Sequence, residues 1–254
     1  MNKTKISTDK KTNVNCYDRN NCSSMKIFLL NSILLLAVYG GSIAQSAPEV
    51  IVPGFKDTYS ETIKKLESGQ TDIDFKAFRE SFIESEQFIV ASKQHAQFDS
   101  LKKVMYKQMD KSDYAEIIKA TKAMLSIDYT SMLAHKILQQ TYKAMGDTLN
   151  RKKYHDIEFG LLNSIIKKGD GKTCETAWPV IQIEEEYFIL DMLGATLKKQ
   201  SIDHEGGFCD KMVVKSEKGN KTYYFEVTKF LKDTISVGYI SDLLLDGCPN
   251  NKES

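Results

Sequence analysis

The side chains most able to do chemistry are four histidines, His95, His135, His155 and His204, and three acidic or glycine-rich clusters. No two histidines stand in HExxH spacing and no CxxC accompanies them, so the usual signal of a zinc site is missing. His135 and His155 fall on what read as successive helices and could face one another across a hairpin. Two readings compete there: a ligand or acid–base pair, and two hydrogen-bonded packing histidines. The second is favoured, because an active site needs convergent partners that the sequence does not display. Glu184-Glu185-Glu186 reads as the start of a strand, where alternation sends Glu185 to the face opposite its two neighbours. Paired carboxylates can do acid–base work when their surroundings push their pKa values apart. Solvated turn acids are the plainer account.

Gly171-Lys172-Thr173 looks like the end of a phosphate-binding loop, but the glycine required five residues earlier is Ile166. The loop also needs a helix after the threonine to aim amides at a phosphate, and a strand-like TAWPVIQI follows instead. No serine lies in a G-x-S-x-G setting, and Cys174 and Cys209 lack the surroundings of a cysteine nucleophile. We therefore expect no catalytic residue, no metal ligand set and no cofactor, and assign no binding residue. The leading reading is a non-enzymatic binding or scaffolding domain; the alternative is an enzyme or small-ligand protein using His155, Asp170 and Glu175 where helices meet sheet.

Those residues are positioned by a change in periodicity within Gly160–Tyr187. Before it, apolar residues recur three and four apart; after it they bunch into runs rich in Val, Ile, Tyr and Phe. Gly169-Asp170-Gly171 marks the joint, since glycines beside an aspartate end a helix and permit a turn. Upstream, helices are expected over 58–68, from Asp74 with Phe75, Phe78 and Phe82 inward, over 98–109, and over 149–168, with 86–97 a loop holding a helical turn. Ser112-Asp113-Tyr114 and Gly146-Asp147-Thr148 lie 34 residues apart, the tetratricopeptide period, which covers about one and a half units. Downstream, strands are expected at 178–183, 186–192, 211–216 and 223–228, with 194–203 a strand or a connecting turn. Lys218-Gly219-Asn220 reads as a hairpin turn. Residues 230–245 form a closing segment. The fold class is α+β: N-terminal antiparallel helical hairpins, partly tetratricopeptide-like, packed on a C-terminal antiparallel β-sheet.

Met25-Lys26, the apolar run 27–39 and the small residues up to Ala44 form the pattern of a secretory signal peptide, with cleavage after Ala44. Residues 1–24 are a polar extension, and translation is expected to start at Met25. With 1–44 removed, 29 basic residues (35 − 6) face 32 acidic ones (34 − 2). So even a balance gives no footprint for nucleic acid, and no stable membrane span is expected after cleavage. The remaining 45–254 is read as a single domain, helical over 56–168 and β over 174–245, exported to the periplasm or cell exterior. Its partner is an unknown protein or small ligand. Of its three cysteines, Cys174, Cys209 and Cys248, two are expected to pair in an oxidising compartment. Three pairings are open; Cys174–Cys209 is preferred because it would tie the joint to the sheet. Asn220-Lys221-Thr222 is a glycosylation sequon, relevant only in a eukaryotic host.

Asp74-Phe75, Phe78-Arg79, His135, Gly146-Asp147, His155, Gly160-Leu161 and Ser164-Ile165 form a pattern with the joint. It continues through residues 169–173, Glu175-Thr176-Ala177, Val180-Ile181, Glu185-Glu186-Tyr187 and Gln200. Over roughly residues 55–230 this resembles domain of unknown function 4919, a family of exported bacterial proteins. The resemblance implies export and the two-part layout, and carries no activity with it.

Overall fold

The computed structural model describes residues 48–203, 208–217 and 219–228. Seven helices come first, and aspartates begin four of them: α1 (Thr58–Glu67), α2 (Phe75–Ile83), α5 (Tyr114–Ile127) and α7 (Thr148–Ile166). Asp57, Asp74, Asp113 and Asp147 each accept a hydrogen bond from the backbone N–H three residues on, satisfying a donor that the helix itself cannot. Ser131 does the same for α6 (Met132–Met145), which ends at Gly146 in the left-handed region, φ 75°. Loops of three, four and two residues join α4 (His95–Asp110), α5, α6 and α7, so each helix packs on the next in the chain.

The expected loop at 86–97 is instead α3 (Glu86–Lys93) and the first turn of α4. Weak amphipathicity hid it: only Gln87 of α3 is fully buried. The side-chain amide of Gln87 reaches back to the Ile127 carbonyl at 2.9 Å.

The sheet has the order β1-β4-β3-β2. β2 (Thr196–Asp203), β3 (Cys209–Ser216) and β4 (Gly219–Glu226) form an antiparallel meander, with a register shift between Leu197 and Lys199. β1 (Trp178–Pro179) adds a short parallel edge, pairing Trp178 with Phe225. The sheet is thus mixed, mostly antiparallel. The strand expected over 178–183 stops early, and a proline at an edge strand is where a missing N–H does least harm. Residues 194–203 resolve in favour of a strand. The strand expected at 211–216 starts two residues sooner, and the one at 223–228 spans Gly219–Glu226.

One expectation fails outright. Residues 186–192, expected as a strand, belong to helix α8 (Ile183–Met192), so the β part also contains a helix. A short apolar run such as YFIL does not reveal its own period. The three preceding glutamates do favour a helix start, because negative charge in the first turn suits the dipole.

The core is continuous across both parts. It runs from Tyr59, Ile63, Phe78 and Phe82 through Leu125, Leu138, Ile157 and Leu161 to Trp178, Ile189, Met212 and Phe225. No helix among the described residues is long and apolar enough to cross a membrane. The closing segment 230–245 and Cys248 lie outside the described residues.

Candidate functional site

Polar side chains converge at four places: a glutamate hub among the helices, a clamp between helices and sheet, a carboxyl pair behind α8, and the Asp170 turn at the joint. At the hub, Glu67 ends α1. Its carboxylate accepts from the Tyr129 hydroxyl at 2.6 Å, the Lys153 ammonium at 2.8 Å and the Tyr154 hydroxyl at 3.3 Å. Burial pushes the Glu67 carboxyl up, but Lys153 and Tyr129 outweigh it and hold the group below its ordinary value. Lys153 also lies over the Tyr154 ring, 4.6 Å from its centroid, and Tyr154 stacks on Tyr142.

His135 lies behind this hub. It is fully buried, and its Nε2 lies 2.7 Å from the Tyr129 carbonyl. A carbonyl can only accept, so Nε2 carries the proton and Nδ1 is left as a buried acceptor with no donor. Burial drives the imidazole down to about 4, so it is neutral near pH 7. His155, one helix later, is exposed and stacks on Phe159, with ring centroids 5.5 Å apart. Each ring has its own partners and no contact joins the two, so no facing pair forms across the hairpin. His95 pairs instead with Asp99 and Glu184, and His204 lies outside the described residues.

The clamp centres on Arg79 of α2, with 3% of its side chain exposed, and Glu185 of α8, with 4%. Arg79 donates to both carboxylate oxygens of Glu185, at 2.8 and 2.6 Å. It also donates to the Pro179 carbonyl of β1 at 3.1 Å and the Ser164 hydroxyl of α7 at 3.3 Å. The backbone N–H of Ile181 adds a further donor to Glu185 at 2.8 Å. One guanidinium fork thereby joins α2, α7, β1 and α8, the bidentate geometry that lysine cannot reproduce. A second link runs beside it. Asp128 accepts from Thr130 and from the Gln182 amide at 3.1 Å, and burial lifts its carboxyl to about 6.

The three glutamates therefore do not alternate as on a strand. On the first turn of α8, Glu184 is exposed beside His95, Glu185 enters the clamp, and Glu186 is fully buried against Asp210 of β3.

At the joint, Asp170 holds the loop together. Its carboxylate accepts from the Lys172 backbone at 3.1 Å, the Lys172 ammonium at 2.7 Å and the Thr176 hydroxyl at 2.7 Å. These donors lower it to about 2. Gly171 has φ 64° and lies under the Trp178 ring; Gly169 lies so close to the Thr176 carbonyl that a Cβ there would collide with it. The loop is pinned to β3 by the disulfide Cys174–Cys209, the pairing preferred from sequence. Lys172 and Thr173 serve this turn. His155, Asp170 and Glu175 share no hydrogen bond or ion pair among the described residues. Nor do three or more His, Cys, Asp or Glu side chains gather there as a metal would require.

Sequence reasoning missed the roles of Arg79, Glu67 and Asp210. For Arg79 the available signal was its place between Phe78 and Phe82 on a buried helix face. Glu67 and Asp210 acquire their partners only through tertiary contact. No curated protein and no solved structure matches the chain. The family described as Domain of unknown function (DUF4919) matches residues 71–236, more than half of the chain and the span that holds the clamp, the joint and the sheet, and the chain belongs to it.

Proposed function

We propose that this is an exported, non-enzymatic binding domain whose hairpins, tetratricopeptide-like in type, present a surface to a protein partner. One observation carries the reading: the outward side of α7 holds Leu149, 79% exposed, and Phe159, 53% exposed, on the same helix as the exposed Arg151 and His155. A shallow depression of about 310 Å³ lies beside Thr148, Arg151, Lys152 and His155. Exposed apolar and aromatic groups bordered by charge are the usual make-up of a protein-binding surface. The buried groups of the clamp and the glutamate hub, in contrast, hold one another and tie elements together. Helices α5 and α7 begin 34 residues apart (148 − 114), in keeping with a repeat of that period. Export is supported by the signal-like residues 25–44 and by the disulfide, which suits an oxidising compartment.

The test is photo-crosslinking in the producing cell with a photoreactive residue at 149, 155 or 159, and a control at exposed Lys107 of α4. A discrete protein adduct from the α7 positions and none from the control is expected. Equal labelling at all positions, or none at any, overturns the reading.

A further inference from the structure

Glu186 is the one acidic side chain among the described residues whose two carboxyl oxygens are both inaccessible and both without a hydrogen-bond donor. The polar group it faces is the Asp210 carboxyl, itself 8% exposed, and carboxylate oxygens only accept. Two ionised carboxylates cannot be held together in so dry a place, so one of them must carry a proton and donate it to the other. Asp210 already accepts from the Gln200 amide at 2.7 Å, which favours it as the charged member and Glu186 as the protonated one.

The other charged groups around Glu186 strengthen this assignment. On its own helix, Glu184 and Glu185 are negative and disfavour a second charge. Arg79 of α2 is committed to Glu185, and His95 of α4 sits at Glu184. From α6, Lys136 pairs with Asp191 at the far end of α8; from the sheet, Lys211 pairs with Asp203. No cation among the described residues is placed to neutralise Glu186.

We propose that Glu186 and Asp210 share a single proton across the contact between α8 and β3, and that this proton is a latch holding α8 on the sheet. No covalent bond changes. When the proton leaves it passes by way of the Asp210 carboxyl, which is 8% exposed, to base in the solvent. Both carboxyls then ionise, and α8 lifts to hydrate them.

The sign follows from linkage. Burial, then Asp210, raise Glu186 from its ordinary 4.5 to about 9 while α8 is seated. With α8 lifted and the group hydrated, the ordinary value returns. The seated form therefore binds one more proton between these two values. Its advantage is complete below pH 4.5 and falls about tenfold per pH unit until it is gone near pH 9. The latch is tightened by acid and weakens through neutrality.

The experiment compares the full mature chain with Glu186→Gln, whose amide donates to Asp210 at every pH. Hydrogen exchange of the α8 amides is followed from pH 5 to 9 and corrected for the intrinsic base-catalysed rate. The wild type is expected to lose α8 protection by about tenfold per pH unit relative to the variant, while α5 and α6 amides of the two proteins stay together. Parallel α8 profiles in the two proteins overturn the proposal. Should Glu186→Gln fail to fold, the carboxyl carbon of Glu186 is titrated by NMR in the wild type. A transition well above 7 supports the latch, and one near 4.5 refutes it.

Discussion

Arg79 and Glu185 are single residues on which four elements depend, and removing either leaves the charge of the other buried without a counter-charge. Arg79→Met or Glu185→Leu should cost about 3–5 kcal/mol in urea unfolding, whereas the two together should recover much of the loss. Double loss as large as the sum of the singles would mean that the two do not act as a pair. His135 has the opposite pH dependence to Glu186. Its folded value is depressed, from 6.5 to about 4, so the stability of the neutral ring is complete above pH 6.5 and drains away as pH falls toward 4. His135→Gln keeps a donor for the Tyr129 carbonyl and does not titrate. Between pH 7 and 4.5 its midpoint of thermal unfolding should therefore fall by less than that of the wild type. At this scale the sequence was least legible. His135 is a buried side chain hydrogen-bonded to the Tyr129 carbonyl, and nothing local marked Glu67 or Asp210, because their partners lie 86 and 24 residues away (Lys153 − Glu67, Asp210 − Glu186).

At the scale of elements, the joint governs how α7 hands over to the sheet. Gly171 combines a left-handed backbone with the Trp178 ring above it, so Gly171→Ala meets strain and collision together. A loss of at least about 1 kcal/mol is expected in urea unfolding, with a shift in Trp178 emission at zero denaturant. The disulfide closes a span of 35 residues between the joint and β3. In the chain-entropy account its reduction should remove about 3–4 kcal/mol, read as a lower urea midpoint in reductant, while Cys174→Ala with Cys209→Ala should show the same midpoint with or without reductant. The turns and caps at this scale were written plainly: Asp74, Gly146-Asp147 and Gly169-Asp170-Gly171 sit where the helices start and stop. Helix α8 was not, for a physical reason. Its residues Phe188, Ile189 and Leu190 are consecutive and all buried, and so short an apolar run shows no period to separate helix from strand. The α+β class survived that error because the strands read at 211–216 and 223–228 are present as parts of β3, whose burial alternates from Asp210 to Val214, and β4; Gly219 and Asn220, expected in the turn between them, open β4 instead.

For the whole molecule, the proposal of export makes a direct statement about the mature product: mass spectrometry of the protein from the producing cell should find an N-terminus at Gln45, and a product carrying residues upstream of Met25 contradicts it. The central claim is that helices and sheet form one cooperative body, because the Arg79 fork, the Asp128–Gln182 link and the disulfide-pinned joint all cross between them. The chain has a single tryptophan, and Trp178 stacks on Tyr223 and packs against the tilted ring of Phe225, both of β4, at the joint. Its fluorescence reports the sheet side, while the far-ultraviolet helix signal comes mainly from α1 to α7. The deciding measurement is urea unfolding followed by both signals on one sample of the mature chain. Superimposable transitions with one midpoint are the expected result. A tryptophan transition separated from the helix transition would mean that the two parts unfold alone, and the account of the clamp and the joint would be wrong.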